Sequence, residues 1–213
     1  MCTTPPDPYR MAARWYDVVF EPLNRKLKAI ALRMAPPRAG QRVLDVGCGT
    51  GATLELYRAA GCELWGLDAS PAMLEVAARR LGSSADLRTG DATAMPYDDH
   101  FFHWVVLTLV LHEMAPTVRA ATLAEAARVV ATDGRVLVVD YAAASRRRLR
   151  GLPLTALITF VERAAGGDHW RGFRHFVTHG AAAASGRSAG LEVEVERQLG
   201  HGNLAVTVLR PGA

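Results

Sequence analysis

Cysteine is scarce in this chain, and long apolar runs are missing. The three cysteines, Cys2, Cys48 and Cys62, are too few and too widely spaced for a disulfide framework or a zinc-ligand pattern. No apolar run approaches the length of a membrane span, and MCTTPPDPYR lacks the hydrophobic segment of a secretory signal. We therefore expect a cytoplasmic protein without a bound metal ion.

A large excess of one charge is also missing. The 25 Lys and Arg residues oppose 21 Asp and Glu residues, for a formal net charge of +4. Much of the excess lies in SRRRLR (residues 145–150), which reads as a solvated helix start, so we do not expect a nucleic-acid partner. The apolar LPLTALITF that follows leaves peripheral contact with an anionic membrane open.

Strand-like and helix-like patterns alternate through the middle of the chain. Five apolar segments are typical of buried strands: RVLDVG, ELWGLDAS, DLRTGDATAMP, WVVLTLVLHEM and RVLVVDYA. Segments of helical periodicity separate them. SPAMLEVAARRLG is predicted to be a helix with Ser70 as its N-cap and Pro71 at its first position, and the helix of PTVRAATLAEAARVVATDG is predicted to end near Gly134. Five βα units in series predict a parallel sheet with helices on both faces.

The last part of the chain departs from this alternation. An apolar helix is predicted at about 152–165, followed by GGDHWRGFRHF as a lid segment and a helix at about 178–190. LEVEVERQL and NLAVTVLR alternate with period two around GHGN, which predicts an antiparallel hairpin at the sheet edge. The predicted fold class is α/β, with a doubly wound mixed sheet of about seven strands.

One domain is predicted for residues 1–213. Its segments are an N-terminal helical cap (1–37), a cofactor-binding core (38–141), a helical lid and acceptor region (142–190) and a C-terminal hairpin (191–213).

A glycine-rich turn follows the first predicted strand, in VLDVGCGTG. Gly47, Gly49 and Gly51 let the backbone approach a ligand closely, and the next helix presents its N-terminus there. Gly47, Gly49 and Ala52 also satisfy the G-x-G-x-x-G/A fingerprint of dinucleotide sites. An NAD-dependent oxidoreductase is therefore one hypothesis.

Three acids at strand ends favour a different ligand. Asp45 precedes the turn, and it would repel a pyrophosphate but attract a cation, with a gain of about 4 kcal/mol at about 4 Å and an effective dielectric near 20. Asp68 ends the second strand, where an acid commonly binds ribose hydroxyls, and Asp91 is placed to meet an adenine amino group. Together they predict a site for an adenosyl cation, S-adenosylmethionine; capping roles for the same acids stay open.

These motifs resemble those of class I S-adenosylmethionine-dependent methyltransferases. The resemblance rests on VLDVGCGTG, the acid of LDAS, the GDA turn, VVLTLVLHEM and the LxEAARVVxxxGRVLVVDY stretch. It is greatest with the ubiquinone/menaquinone-biosynthesis type and covers about residues 9–141. It implies a Rossmann-like methyltransferase fold.

The resemblance also implies cofactor-binding residues. Asp45 would lie near the ammonium group of the cofactor and Asp68 would hold its ribose. The glycine turn would line its methionine part through Gly47, Cys48, Gly49 and Gly51. Its adenosine would be flanked by Ala69 and Met73 and bound at the adenine by Asp91 and Ala92. Leu107 would contact the cofactor through the backbone after the fourth strand, and the aromatics Tyr9 and Tyr16 would close over it.

The acceptor side is predicted less directly. His112 follows the fourth strand and is the best candidate for a general base, with acceptor shaping as the alternative. Tyr16 is the second catalytic candidate. The predicted acceptor pocket comprises Tyr141, His169, Trp170, Phe173 and His175. A metal site from His169, His175 and His179 lacks ligand spacing, so none is expected.

The leading hypothesis is a methyltransferase that acts on a small molecule and releases S-adenosylhomocysteine. A quinone precursor, a lipid amine and a secondary metabolite all fit as the acceptor. The alternatives are the NAD-dependent oxidoreductase and a non-catalytic module that binds RNA through SRRRLR. The sequence gives no prediction of the oligomeric state.

Overall fold

A computed structural model describes residues 27–146 and 149–212 of the chain. Two compact units meet in sequence between Ala92 and Thr93. Most of the predicted N-terminal cap, including Tyr9 and Tyr16, lies outside the described residues. The single domain with four segments stays a prediction.

Within residues 27–92, the first unit contains three parallel strands and three α-helices. Its elements are α1 (residues 27–34), β1 (Arg42–Val46), α2 (Ala52–Ala59), β2 (Glu63–Asp68), α3 (Pro71–Leu81) and β3 (Ala85–Thr89). β1 pairs with β2 and β2 with β3, each in parallel. The predicted start of α3 is confirmed, because the Ser70 hydroxyl accepts the Met73 N–H at 3.2 Å and Pro71 is the first helical residue.

The second unit combines parallel and antiparallel pairing. Its elements are β4 (Phe102–Thr108), α4 (Pro116–Val129), β5 (Val130–Tyr141), α5 (Leu152–Ala164), α6 (Gly167–Thr178), α7 (Ala181–Ser188), β6 (Leu191–Leu199) and β7 (Leu204–Pro211). β4 and β5 are parallel, whereas β7 is antiparallel to both β5 and β6. The seven strands follow the order β3-β2-β1-β4-β5-β7-β6, which confirms the mixed α/β sheet and its C-terminal hairpin.

Three details of the predicted elements are wrong. Residues 90–101 contain no helix, so β3 lacks the helix expected of a fifth βα unit. α4 ends at Val129 rather than near Gly134, because Val130 already pairs with Phe102 of β4. The lid segment GGDHWRGFRHF is helical as α6, and the next helix begins only at Ala181, after Gly180 in the left-handed region.

No helix of residues 27–146 and 149–212 combines the length and the hydrophobicity that crossing a bilayer requires.

Candidate functional site

The glycine turn (residues 47–51) is held by its own unit. The N–H groups of Gly47 and Cys48 donate to the Leu67 carbonyl at 2.8 and 3.2 Å, and Gly51 N–H donates to Cys48 at 2.9 Å. Gly51 has φ of 77°, and a Cβ there would lie 2.9 Å from Leu81 Cδ1. The turn therefore needs glycine at this position for its backbone conformation and for its packing against α3.

Asp45 lies in β1 immediately before this turn, and it is almost completely buried, with 1% of its surface exposed. Neither carboxylate oxygen has a hydrogen-bond partner within the described part of the chain. Burial raises the pKa of Asp45 to about 7, with the charge of Lys28 and the neighbouring Thr53 side chain opposing the shift and the charge of Asp68 adding to it. The alternative that Asp45 caps the amides of the turn is not observed. A buried, unpartnered carboxylate favours a cation beside it.

Asp68 joins the glycine turn to the end of β2. Its Oδ2 accepts the Gly49 N–H and its Oδ1 accepts the Ser70 N–H, each at 2.8 Å. A carboxylate oxygen can accept more than one hydrogen bond, so these bonds are compatible with ribose hydroxyls as additional donors.

The remaining predicted adenosine-binding residues follow the carboxyl ends of β2 and β3. Ala69 is exposed just before α3, and Met73 is buried on that helix. Asp91 is exposed and Ala92 half-buried in the loop that follows β3. Because β2 and β3 are parallel neighbours, their carboxyl ends meet at one edge of the sheet, as an adenosine site would require.

Leu107 was predicted to follow the fourth strand, and this placement is wrong. Leu107 lies inside β4, fully buried and opposite Val138, and the strand continues to Thr108. The first residue beyond it is Leu109, whose φ is 55° and whose N–H donates to Val139 at 2.7 Å. The uninterrupted apolar run gave no signal for where the strand ends.

His112 lies in the loop after β4, and its ring is fixed by an acid from β5. The Nδ1–H of His112 donates to Asp140 Oδ1 at 2.8 Å. Asp140 also accepts the backbone N–H groups of Leu111, His112 and Tyr141 at 3.0, 3.3 and 2.7 Å. With Nδ1 engaged, Nε2 is the ring atom left for chemistry. Asp140 was missed from the sequence, although it is the next-to-last residue of its strand, close to the carboxyl end that Asp68 occupies in β2.

A second buried acid, Glu162 of α5, completes this group of side chains. Glu162 Oε1 accepts the Tyr141 hydroxyl at 2.8 Å, and Oε2 accepts the His169 Nε2–H at 2.6 Å. The Nε2 of His112 lies 3.8 Å from Glu162 Oε2 and 3.8 Å from Glu113 Oε1. We refer to His112, Asp140, Glu162 and His169 as the histidine–carboxylate cluster.

The acids of the cluster determine the charge of His112. Burial alone would lower its pKa, but the charge and hydrogen bond of Asp140, together with the charges of Glu113 and Glu162, raise the pKa of His112 to about 9. Burial and the neighbouring Glu162 also raise the pKa of Tyr141. An imidazolium cannot accept a proton, so His112 must first lose its own proton to act as a general base. That role stays a prediction.

Aromatic rings surround the cluster. The Tyr141 ring lies 4.7 Å from that of His112 and 5.0 Å from that of Phe173, and Trp170 lies 5.6 Å from Phe173. Four of the five predicted acceptor residues are therefore brought together. The fifth, His175, instead stacks on His179 with ring centroids 4.0 Å apart.

Arg119 of α4 fastens this loop to α6. Its guanidinium donates to the carbonyls of Leu111 and Met114, both at 2.8 Å, and of Gly172 at 3.2 Å. A Cβ on Gly172 would lie 2.9 Å from the carbonyl oxygens of both His112 and Glu113. Close approach of α6 to the His112 loop thus depends on glycine at this position, which sequence periodicity gave no means to identify.

Replacing Gly172 with alanine should therefore destabilise the protein and disturb the cluster. Overpacking of this kind costs about 1–3 kcal/mol, or roughly 2–12 °C in Tm for a chain of this size. Thermal unfolding followed by circular dichroism measures the effect. Gly167→Ala is the matched control, because the nearest atom to a Cβ there is the flexible Arg171 side chain at 3.8 Å. Equal Tm values for the two variants would contradict the packing assigned to Gly172.

Comparison with known proteins matches residues 43–134 to the methyltransferase domain family. Demethylmenaquinone methyltransferase of Renibacterium salmoninarum is 35% identical over 130 residues, which are 59% of this chain and 54% of that protein. The ubiquinone/menaquinone biosynthesis C-methyltransferase UbiE of Burkholderia cenocepacia is 34% identical over 131 residues, 59% and 53% of the two chains. The chain thus spans about half the length of these relatives.

Solved structures show the same fold. A chain from the complex between the Haloferax volcanii Trm112 methyltransferase activator and a methyltransferase gives a TM-score of 0.76 at 18% identity, covering 99% of this chain and 100% of the other. A TehB-like methyltransferase from Corynebacterium glutamicum gives 0.65 at 19% identity, with 94% and 98% covered.

Proposed function

We propose that this chain is an S-adenosylmethionine-dependent methyltransferase with a small-molecule acceptor, because residues 43–134 match the methyltransferase domain family. The family match and the fold confirm the resemblance to class I methyltransferases. The observation that carries the proposal is Asp45, buried and unpartnered in β1. An ammonium group would satisfy this acid, whereas the pyrophosphate of NAD would be repelled by it.

The other cofactor contacts follow from the strand ends of the first unit. Asp68 is proposed to accept the ribose hydroxyls, with Ala69 and Met73 beside the adenosine and Asp91 and Ala92 at the adenine. The glycine turn shapes the methionine side of the site, with Cys48 as a small buried residue. Burial raises the pKa of the Cys48 thiol well above its usual range, so we assign it no nucleophilic role.

For the acceptor we propose an aromatic molecule with an ionisable hydroxyl, of the quinol class. Tyr141, Trp170 and Phe173 offer ring faces and edges, while His112 and Glu162 offer charged polar groups beside them. The names of the two relatives above point to acceptors of the same chemistry. Transfer from a sulfonium is an in-line displacement, for which proximity and orientation supply roughly 7–11 kcal/mol in well-aligned cases.

Contact with a membrane surface would suit such an apolar acceptor. Leu149, Leu152, Leu157 and Phe160 are 84%, 55%, 59% and 71% exposed, at helical spacing on α5 and the short turn before it. Arg150 lies beside them, within the basic run 145–150. An apolar helix face flanked by arginines suits the interface of an anionic bilayer.

Phe160→Glu should therefore abolish binding to vesicles of phosphatidylglycerol and phosphatidylcholine, because it places a charge on this face. Co-sedimentation measures the bound fraction. The control is Val118→Glu, which changes an apolar residue of α4 that is 41% exposed and should leave binding intact. Equal binding by both variants would contradict a membrane role for α5.

The proposed activity is tested by methyl transfer from radiolabelled S-adenosylmethionine to quinols, lipid amines and RNA in parallel. We expect label in a quinol fraction. Label in lipid amines would retain the enzyme class and correct the acceptor. Salt-sensitive RNA binding without transfer to any acceptor would favour the non-catalytic module instead.

A further inference from the structure

We propose that His112, Glu162 and His169 form a binding site for a divalent first-row transition-metal ion. One candidate ligand atom from each residue lies within 4.8 Å of the other two. Two ligands come from helices α5 and α6 and the third from the loop after β4, so all three are held by one unit of the fold.

The separation of His112 from Glu162 fits two ligands of one ion better than a hydrogen bond. Their Nε2 and Oε2 atoms are 3.8 Å apart, beyond hydrogen-bond distance. Two ligands that each lie about 2.0–2.2 Å from an ion are roughly 3–4 Å apart. His169 now donates its Nε2–H to Glu162 at 2.6 Å, so ion binding would replace this hydrogen bond and widen the pair. The proton on Nε2 would move to Nδ1 or be released to solvent. The half-buried His169 side chain has room for that small movement.

The surrounding hydrogen bonds orient two of the ligands. Asp140 holds the Nδ1–H of His112 and leaves its Nε2 as the ligand atom, while the Tyr141 hydroxyl holds Oε1 of Glu162 and leaves Oε2. A carboxylate behind a histidine ligand is a recurrent feature of protein metal sites, since it fixes the ring and increases its basicity.

The donor set indicates the class of ion. Two imidazole nitrogens and one carboxylate suit Zn²⁺, Co²⁺, Fe²⁺ or Mn²⁺ better than Mg²⁺ or Ca²⁺, which prefer oxygen ligands. Glu162 is only 3% exposed, and Glu113 adds a second negative charge near His112 Nε2. A bound ion would take over the neutralisation of these acids from the His112 proton, which would be released when Nε2 binds the ion. The remaining positions would be open to water or, if the proposed function holds, to the acceptor hydroxyl, whose ionisation a bound ion would favour.

Metal binding is tested on the full chain after removal of metal with a chelator. We expect titration calorimetry with Zn²⁺ to show one ion bound per chain, and Co²⁺ to give visible absorption bands. Glu162→Gln and His169→Ala should each weaken Zn²⁺ binding at least about 100-fold, and Tyr141→Phe about tenfold. His179→Ala is the matched control: it removes an exposed histidine at the end of the same helix, α6, and should bind Zn²⁺ like the wild type.

Two outcomes would overturn the site: no stoichiometric Zn²⁺ binding by the wild type, or equal affinity in Glu162→Gln, His169→Ala and His179→Ala. Circular dichroism identifies a variant that fails to fold. If Glu162→Gln does not fold, the Zn²⁺ affinity of His169→Ala tests the site instead. S-adenosylhomocysteine binding is measured in parallel. If the protein binds Zn²⁺ but not S-adenosylhomocysteine, the metal site is supported and the proposed function is refuted. If it binds S-adenosylhomocysteine but not Zn²⁺, the proposed function is supported and the metal site is refuted.

Discussion

Replacing Asp45 with asparagine should weaken S-adenosylhomocysteine binding about 100-fold at pH 8, because the variant loses the charge that attracts the ligand's ammonium. The loss corresponds to about 2.7 kcal/mol, less than the roughly 4 kcal/mol of a bare charge pair at an effective dielectric near 20, since desolvation offsets part of the attraction. Calorimetric titration measures it.

The dependence of this affinity on pH identifies the residue responsible. Burial raises the pKa of Asp45 to about 7 in the free protein, so protonation below that pH removes the negative charge that attracts the ligand's ammonium group. Wild-type affinity should fall about tenfold from pH 8 to pH 6, and the affinity of Asp45→Asn should stay nearly constant. Asp86→Asn, at an exposed acid of β3, is the control and should follow the wild type. A wild-type pH profile in Asp45→Asn would refute the assignment.

Stability supplies an independent readout for the same variant. The pKa of Asp45 is raised on folding from an unfolded value of about 4, so the folded state binds an extra proton between about pH 4 and 7. The contribution of Asp45 to the free energy of unfolding is therefore largest below about pH 4 and is lost as the pH rises from 4 through 7. Asp45→Asn should therefore raise Tm at pH 8, which separates lost ligand affinity from misfolding.

Asp140→Asn should lower kcat for methyl transfer at least about 100-fold while leaving S-adenosylhomocysteine affinity unchanged. The neutral amide can no longer hold the Nδ1–H of His112 as a charged acceptor, so ring orientation and tautomer are lost. Steady-state kinetics and calorimetry on the same preparation measure the two quantities.

The control for that variant is Asp133→Asn, which changes an exposed acid of the same strand, β5, and should keep wild-type kcat. His112→Ala should cost about as much as Asp140→Asn, and the double variant little more, because both act through one ring. Wild-type turnover in Asp140→Asn would remove the Asp140–His112 pair from the chemistry.

Local sequence patterns predicted most of the fold. Strand-like apolar runs, the Ser70–Pro71 helix start and the period-two alternation around GHGN are signals carried within a few residues, and the structure confirms each. The end of α4 was misplaced because pairing of Val130 with Phe102 overrides the helical pattern of VVATDG. That pairing joins residues distant in sequence, so periodicity does not report it.

The site was predicted unevenly for the same reason. Asp45 directly precedes the glycine turn and Asp68 ends the next strand, so local patterns reveal both, whereas Asp140 contacts His112 across 28 residues. Glu162 was not identified from the sequence, where it lies in the helix predicted at about 152–165, and it is the buried partner of Tyr141 and His169. Such acids become recognisable only when the strands and helices that carry them are assembled.

Calorimetric titration of the wild-type protein at pH 8 with S-adenosylhomocysteine and, separately, with NAD tests the central claim most directly. The buried acid before the glycine turn predicts saturable binding of S-adenosylhomocysteine and no measurable heat with NAD. Binding of NAD alone would contradict it.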